Sequence, residues 1–124
     1  MTDKEFRFEK KRIRSLIRKW VNPAGFGWWR IDIRYSRERH IENPNVAGKT
    51  DSDWKYSHAV ITYYLPVTST LDDEELEHTF VHELCHLPMS GMHFPDNEQA
   101  NAIFERTVDE YAKHIIWASE MKNV

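Results

Sequence analysis

Residues 70–88 read TLDDEELEHTFVHELCHLP. Thr70 is a residue type that caps helix N-termini, and the four acidic residues at 72–75 complement the positive end of a helix dipole. Pro88 lacks a backbone N–H and disfavours continuation of a helix. The stretch therefore predicts a helix that starts near Thr70 and ends at about Leu87.

This helix contains the motif HExxH, as His82-Glu83-Leu84-Cys85-His86. Residues four apart lie on one face of a helix, so the two imidazoles can reach one metal ion at about 2.0–2.1 Å. Imidazole is a preferred ligand of Zn²⁺, and Glu83 is placed to take a proton from a water bound to that ion. We therefore expect a zinc site here. The alternative is a helix with two solvated histidines that bind no metal.

A catalytic zinc needs a third protein ligand and an open position. The last predicted helix, residues 97–121, carries Glu105 and, one turn later, Asp109 on the same side. Glu105 is flanked by apolar residues of that helix and borders the core, where an unpaired carboxylate would be costly. We expect Glu105 to bind the metal and Asp109 to accept the other ring N–H of a ligand histidine. His93, in the preceding loop, is the alternative third ligand.

Three further segments have a clear hydrophobic period. Apolar residues recur at helical spacing from Asp3 to Trp20, and Pro23 ends that helix. Strict alternation over residues 29–35, WRIDIRY, predicts a strand with one buried face. Residues 57–65, SHAVITYYL, are rich in β-branched and aromatic side chains and predict a second strand.

The remaining residues, 36–56, are polar and predict a loop with one short strand near residues 46–50. No composition shift divides the chain, so we expect one domain over residues 1–124. The order of elements predicts an α+β fold of the zincin-like type. It consists of a small twisted sheet with an N-terminal helix, the HExxH helix and the glutamate helix.

The composition is that of a globular protein. The 124 residues are 40% apolar and 30% charged, and the apolar runs are too short to span a membrane. The charged start, MTDKEFRFEKKRIR, lacks the apolar stretch of a secretory signal. Cys85 is the sole cysteine, which excludes a disulfide framework and fits a reducing compartment. We therefore expect a cytoplasmic protein.

Charge is unevenly distributed along the chain. The net charge of −3 argues against a general nucleic-acid binder. Residues 1–40, however, hold 12 of the 17 Lys and Arg and 5 of the 20 acidic residues, a balance of +7, whereas the remainder carries −10. The basic first helix can therefore contact phosphate, and nucleic-acid binding stays open as an alternative function. The oligomeric state is not indicated.

The combination of HELCH with ExxxD on a second helix resembles the gluzincin metallopeptidases, the thermolysin-like clan. The chain is similar in size to their minimal form, the minigluzincins, and to small metallopeptidases common in phage and prophage sequences. The resemblance covers residues 28–118 and implies a zinc-dependent peptidase. The roles it implies are zinc ligands for His82, His86 and Glu105, the general base for Glu83, and a histidine-orienting carboxylate for Asp109.

The same resemblance implies where a peptide or protein substrate lies. In that clan, the strand before the active-site helix forms the upper rim of the cleft and pairs with an extended peptide. That strand is here about Ala59–Leu65. The substrate contacts would then come from Ala59, Ile61 and Tyr63.

The chain departs from the clan in one respect. The clan usually has an additional Tyr or His that stabilises the oxyanion, often from a further subdomain, and we expect no such subdomain in these 124 residues. A second function therefore stays open, a zinc-binding interaction or regulatory protein on a metallopeptidase fold without turnover. The candidates for the missing group, among which the sequence does not choose, are Tyr63, Tyr64, Tyr111, His93 and His114.

Overall fold

A computed structural model of the chain describes residues 1–90 and 95–122 and shows a small α+β fold, as expected. The predicted first helix is confirmed, and its N-terminus is closed by a capping box. Thr2 Oγ1 accepts a hydrogen bond from the Glu5 N–H at 3.1 Å, and Glu5 Oε2 accepts one from the Thr2 N–H at 3.3 Å. The elements are α1 (Asp3–Trp20), β1 (Arg30–Ser36), β2 (Gly48–Asp53), β3 (His58–Tyr64), α2 (Leu65–Thr68), α3 (Asp73–Met89) and α4 (Glu98–Lys122).

The three strands form one sheet in the order β1-β3-β2. β3 runs parallel to β1, with Ile33 opposite Ile61, and antiparallel to β2, with Thr50 opposite Ile61. The sequence of β2, GKTDSD, is polar and has low β propensity, so only its position at an edge makes it a strand. The strand expected near residues 46–50 therefore starts later and extends further.

The expectation that the strand at 59–65 offers an edge to a substrate is wrong. β3 is the central strand, and both of its edges are hydrogen-bonded to neighbours. Ala59, Ile61 and Tyr63 are at most 1% exposed, since they face the helices. Strand order depends on tertiary pairing and was not visible in the local pattern.

The HExxH helix is confirmed with shifted ends. Its N-cap is Asp72 rather than Thr70, because Asp72 and Glu75 form the capping box at 2.8 and 3.1 Å. Thr70 belongs instead to the turn after α2, the single helical turn that follows β3. At the other end the helix extends past Pro88 by one residue, to Met89. The helix thus ends two residues later than the predicted Leu87.

The glutamate helix α4 begins at Glu98, one residue after the predicted start, and its cap is Asn97. Asn97 Oδ1 accepts a hydrogen bond from the Ala100 N–H at 2.8 Å. α4 packs on α3 and buries Val108 and Ala112. In the described residues, no helix is long and apolar enough to cross a membrane.

One apolar core joins the helices to the inner face of the sheet. Each fully buried large side chain in it contributes about 1.5–3 kcal/mol relative to an exposed one. Because α3 lies between α1, α4 and the sheet, its position fixes the HExxH motif. The central members of the core are Ile13 of α1, Ile61 and Tyr63 of β3, Phe80 and Leu84 of α3, and Val108 of α4.

Candidate metal centre

The structure brings together the three side chains that the sequence predicts as metal ligands. His82 Nε2 lies 3.1 Å from Glu105 Oε2, and His86 Nε2 lies 3.5 Å from Glu105 Oε1. One ligand atom from each of the three residues lies within 4.8 Å of the others. The HExxH spacing places both imidazoles on one face of α3, and α4 supplies the carboxylate opposite them. These three side chains could hold a metal ion.

The separations are close to those around a tetrahedral ion. Ligand atoms at about 2.0–2.1 Å from such an ion stand about 3.3–3.4 Å from one another. The nitrogen–oxygen separations are 3.1 Å from His82 to Glu105 Oε2 and 3.5 Å from His86 to Glu105 Oε1. Burial alone would lower the pKa of His82, but the hydrogen bond to Glu105 and the charges of Glu83, Glu105 and Asp109 outweigh it and raise that pKa. The His82 bond in turn lowers the pKa of Glu105.

Asp109 lies beside this group but is shared between two histidines. Its Oδ1 is 3.4 Å from His82 Nδ1, the ring nitrogen that faces away from Glu105, and 2.7 Å from His78 Nε2. The contact between His78 and Asp109 was not predicted from the sequence. The hydrogen bond from His78 lowers the pKa of Asp109, although desolvation opposes it, and Lys113 adds a cation 3.3 Å from Oδ2. Asp109 is therefore positioned to support His82, with His78 as a competitor.

Glu83 is buried, with 7% of its surface exposed, and it faces the same side of α3 as the histidines. Thr50 Oγ1 donates a hydrogen bond to Glu83 Oε2 at 2.8 Å. Burial raises the pKa of Glu83, whereas this hydrogen bond and the nearby histidines act in the opposite direction. Thr50 was not found from the sequence, since its contact joins residues 33 positions apart.

Tyr63 lies directly behind Glu83 and does not face the site. It is fully buried, its ring stacks on Phe80 with centroids 5.9 Å apart, and its hydroxyl has no hydrogen-bond partner among the described residues. Gly48 makes the close approach of β2 possible, because a Cβ there would lie 3.1 Å from Tyr63 Cε1 and 3.4 Å from Glu83 Cγ. Burial, with the nearby Glu83 charge, raises the pKa of Tyr63 well above 10.0.

A cavity of about 740 Å³ opens beside the metal-ligand group. Its walls are α3, α4, the loop at 40–47 and the residues Gly48, Lys49 and Thr50 of β2. On the far side of β2 no strand pairs with it in the described part of the chain. The cavity therefore combines a metal-ligand group, a buried carboxylate and an open strand edge.

None of the four described candidates for the oxyanion-stabilising group lines this cavity, and His93 lies outside the described residues. His40, which the sequence analysis did not consider, does line it. His40 Nδ1 accepts a hydrogen bond from the Asn43 N–H at 3.0 Å, so a neutral ring carries its proton on Nε2 as a donor. The candidates that do not line the cavity are Tyr63, Tyr64, Tyr111 and His114.

Cys85, inside the motif, is a core residue. Its thiol is buried, and burial raises its pKa to about 12. A thiol with that pKa is neither a thiolate ligand nor a nucleophile near neutral pH.

The chain matches no family model, no curated protein and no solved structure. The resemblance to gluzincins consequently stays a hypothesis carried by HELCH and ExxxD. The structure itself contributes the convergence of His82, His86 and Glu105 into a group that could hold a metal ion.

Proposed function

We propose that this protein is a zinc-dependent peptidase of the gluzincin type. The observation that carries the proposal is the convergence of His82, His86 and Glu105 within 4.8 Å, with the Glu83 carboxylate beside them in the same cavity. A site for a structural metal has no need of a buried, ionisable carboxylate that is not a ligand. A hydrolytic site needs one as a general base.

Zinc is the proposed metal because the donor set is two imidazoles and one carboxylate. That set of three protein ligands is typical of catalytic zinc sites, which keep a fourth position open for water or substrate. Zinc bound there would acidify a coordinated water and polarise the scissile carbonyl. Asp109 supports the set because its Oδ1 lies 3.4 Å from His82 Nδ1, which favours the ring proton on Nδ1 and leaves Nε2 unprotonated for the metal.

Glu83 carries the proton in the proposed reaction. Its carboxylate takes a proton from the attacking water as the water oxygen bonds to the carbonyl carbon of the substrate. The C–N bond then breaks, and Glu83 returns the same proton to the leaving amine. Thr50 holds Oε2 of this carboxylate at 2.8 Å, so the group is oriented before substrate arrives.

The proposed substrate is an extended peptide bound along the free edge of β2. Residues 48–50 both form part of that strand and line the cavity, so a peptide paired with β2 would pass beside the metal ligands. Main-chain hydrogen bonds to an exposed strand edge supply affinity with little dependence on sequence. β2 thus takes the role that the sequence analysis assigned to β3.

A second candidate function is zinc-dependent binding without turnover. The absence of Tyr63, Tyr64, Tyr111 and His114 from the cavity wall favours it, since a peptidase of this type needs a donor for the oxyanion. If the protein is a peptidase, His40 is one described residue of the cavity wall that could supply this donor.

Glu83→Gln separates the two functions. In a peptidase it should lower turnover of a quenched-fluorescence peptide library by about 10²–10⁴-fold and leave zinc binding intact. Glu98→Gln, an exposed glutamate on α4, is the matched control and should change neither. Zinc-loaded protein with no cleavage of any peptide, or cleavage that survives in Glu83→Gln, would reject the peptidase function.

A further inference from the structure

The outer face of α1 carries a row of five exposed basic residues, Lys4, Arg7, Lys11, Arg14 and Arg18. Their alternating spacing of three and four residues confines them to about 80° of the helix circumference. The row is about 21 Å long at a rise of about 1.5 Å per residue. Because α1 is capped and packed on the core, this is a straight and rigid line of positive charge, here called the basic row.

The charge of the basic row is compensated only weakly by the protein, through the attraction between Arg7 and Asp3. None of its five members makes an ion pair with any residue in the described ranges, and Arg14 contacts the uncharged Tyr35. Three basic residues of the same sequence segment outside the row do have carboxylate partners, namely Arg12 with Glu9, Lys19 with Glu77 and Arg37 with Asp3. The row is thus the surface on which the local excess of positive charge is concentrated.

We propose that the basic row docks along the phosphate backbone of double-stranded DNA, without reading its sequence. A duplex is a rigid rod with one negative charge per about 1.7 Å, which complements a rigid cationic line about 21 Å long. The uneven charge also orients the protein. Residues 1–40 carry +7 and the remainder −10, so the duplex attracts the segment that contains α1 more strongly than the rest of the chain.

Two other anionic partners fit less well. An amphipathic helix binds a membrane by inserting an apolar face, but the apolar face of α1 is occupied by the protein core, where Ile13 and Trp20 are buried. Single-stranded nucleic acid is bound by aromatic platforms on which bases stack. Phe8 is the one exposed aromatic side chain of α1. Both partners are outcomes of the test below.

The basic row is separate from the metal centre. α1 packs on the side of α3 that carries Asp73 and Glu77, through contacts from Arg12 and Lys19. At about 100° per residue, His82 and His86 lie about 140–180° around α3 from that side. DNA binding is therefore independent of the proposed function. Neutralising the row should leave zinc binding, and any peptide cleavage, unchanged.

The test measures binding of the full chain to a fluorescein-labelled DNA duplex of about 20 base pairs by anisotropy, over about 50–200 mM salt. Five phosphate contacts predict a slope of log K against log salt near −4.5, which corresponds to about 500-fold weaker binding across that range. Lys11→Gln with Arg14→Gln should reduce the slope to about −2.7. Lys4→Gln with Arg7→Gln is a second, independent pair with the same expectation.

Lys55→Gln with Lys122→Gln is the matched control, since it removes two exposed charges outside the basic row and should keep the full slope. Circular dichroism melting checks that all variants fold. The proposal is overturned by absent or salt-independent binding, or by equal losses in the control and the row variants. It is also overturned if vesicles of phosphatidylcholine and phosphatidylserine, or a single strand of the same sequence, bind more tightly than the duplex.

Discussion

Thr50 and Glu83 are joined by a hydrogen bond of 2.8 Å that links the edge strand of the sheet to the proposed general base. The Thr50 hydroxyl also lies 3.2 Å from the Glu83 carbonyl oxygen. The strand that we propose to bind the peptide is therefore the strand that orients the carboxylate. Substrate position and proton transfer would depend on the same element.

This contact gives the first prediction. Thr50→Val keeps the shape of the side chain but removes the hydroxyl. The kcat for peptide cleavage should fall about 10- to 100-fold, because that is the effect of losing one hydrogen bond to a charged group. The bond favours the ionised carboxylate, so its loss should raise the pKa of Glu83 and move the acidic limb of the kcat profile to higher pH. Kinetics across pH, with zinc content measured in parallel, provide the check.

Thr50→Ser is the control for this prediction, because it restores the hydroxyl and should recover most of the activity. Zinc affinity should be the same in all three proteins, since Thr50 touches none of the ligands. Equal kcat and equal pH profiles in Thr50→Val and the parent would show that the contact does not position Glu83.

The second prediction concerns Asp109, which lies between His82 and His78. Asp109→Ala frees the His82 ring and should weaken zinc binding about 10- to 100-fold, with a smaller loss for Asp109→Asn, which can still accept a hydrogen bond. His78→Ala removes only the competing partner and should leave zinc affinity unchanged. Competition with a chromogenic zinc chelator measures all four proteins. An equal loss of zinc affinity in His78→Ala and Asp109→Ala would instead show that His78 helps Asp109 to support His82.

The third prediction concerns stability rather than function. Glu9 is 3% exposed and accepts hydrogen bonds from Arg12 at 2.9 and 3.0 Å and from the Thr68 hydroxyl at 3.0 Å. This network fixes α1 to the segment that precedes α3. Glu9→Ala would leave the guanidinium and the hydroxyl without their buried partner, which should cost about 3 kcal/mol of unfolding free energy.

Urea denaturation of the metal-free protein measures this cost. Arg37→Ala, which breaks the exposed pair with Asp3, is the control and should have a much smaller effect. If Glu9→Ala lowers the free energy of unfolding by less than about 1 kcal/mol, the Glu9–Arg12 pair contributes no more than a surface ion pair.

Much of the fold could be predicted from the sequence because the relevant signals are local. The periodicity of α1 and the alternation over β1 reflect burial of one face of each element. The sequence of β2 has no such hydrophobic pattern. Its residues are polar, and it exists as a strand only because β3 offers a hydrogen-bonding partner. The order of the strands, and with it the location of the open edge, required the tertiary structure.

The residues of the candidate site likewise fall into those that were predicted from the sequence and those that were not. His82 and His86 were predicted from a spacing within one helix. Glu105 was predicted from an expected position at the border of the core, but its side chain is 55% exposed in the structure. Thr50 and His40 reach the cavity from the sheet edge and from a polar loop, with no motif to mark them. Local sequence identifies groups that act through helical spacing, but not groups brought in by strand pairing.

The fourth prediction follows from burial of Cys85. Its pKa is raised from an ordinary 9.0 to about 12, so the folded protein should react slowly with iodoacetamide at pH 7–9. Because the unfolded chain ionises first, the stabilising contribution of this buried thiol is present below pH 9 and is lost as the pH rises towards 12. Mass spectrometry with and without urea tests the reactivity. Rapid labelling of the folded protein would show that the thiol is accessible.

The account depends most on Glu105 as the third metal ligand. The decisive measurement is the zinc content and affinity of the purified chain, of Glu105→Ala, and of Glu98→Ala, which removes an exposed glutamate from the same helix. We predict one zinc per chain in the parent and in Glu98→Ala. In Glu105→Ala, zinc affinity should fall by more than the factor of about 10 to 100 that is expected when a merely supporting residue is lost. Zinc held at full affinity by Glu105→Ala, or no zinc bound by the parent, would contradict the proposed site.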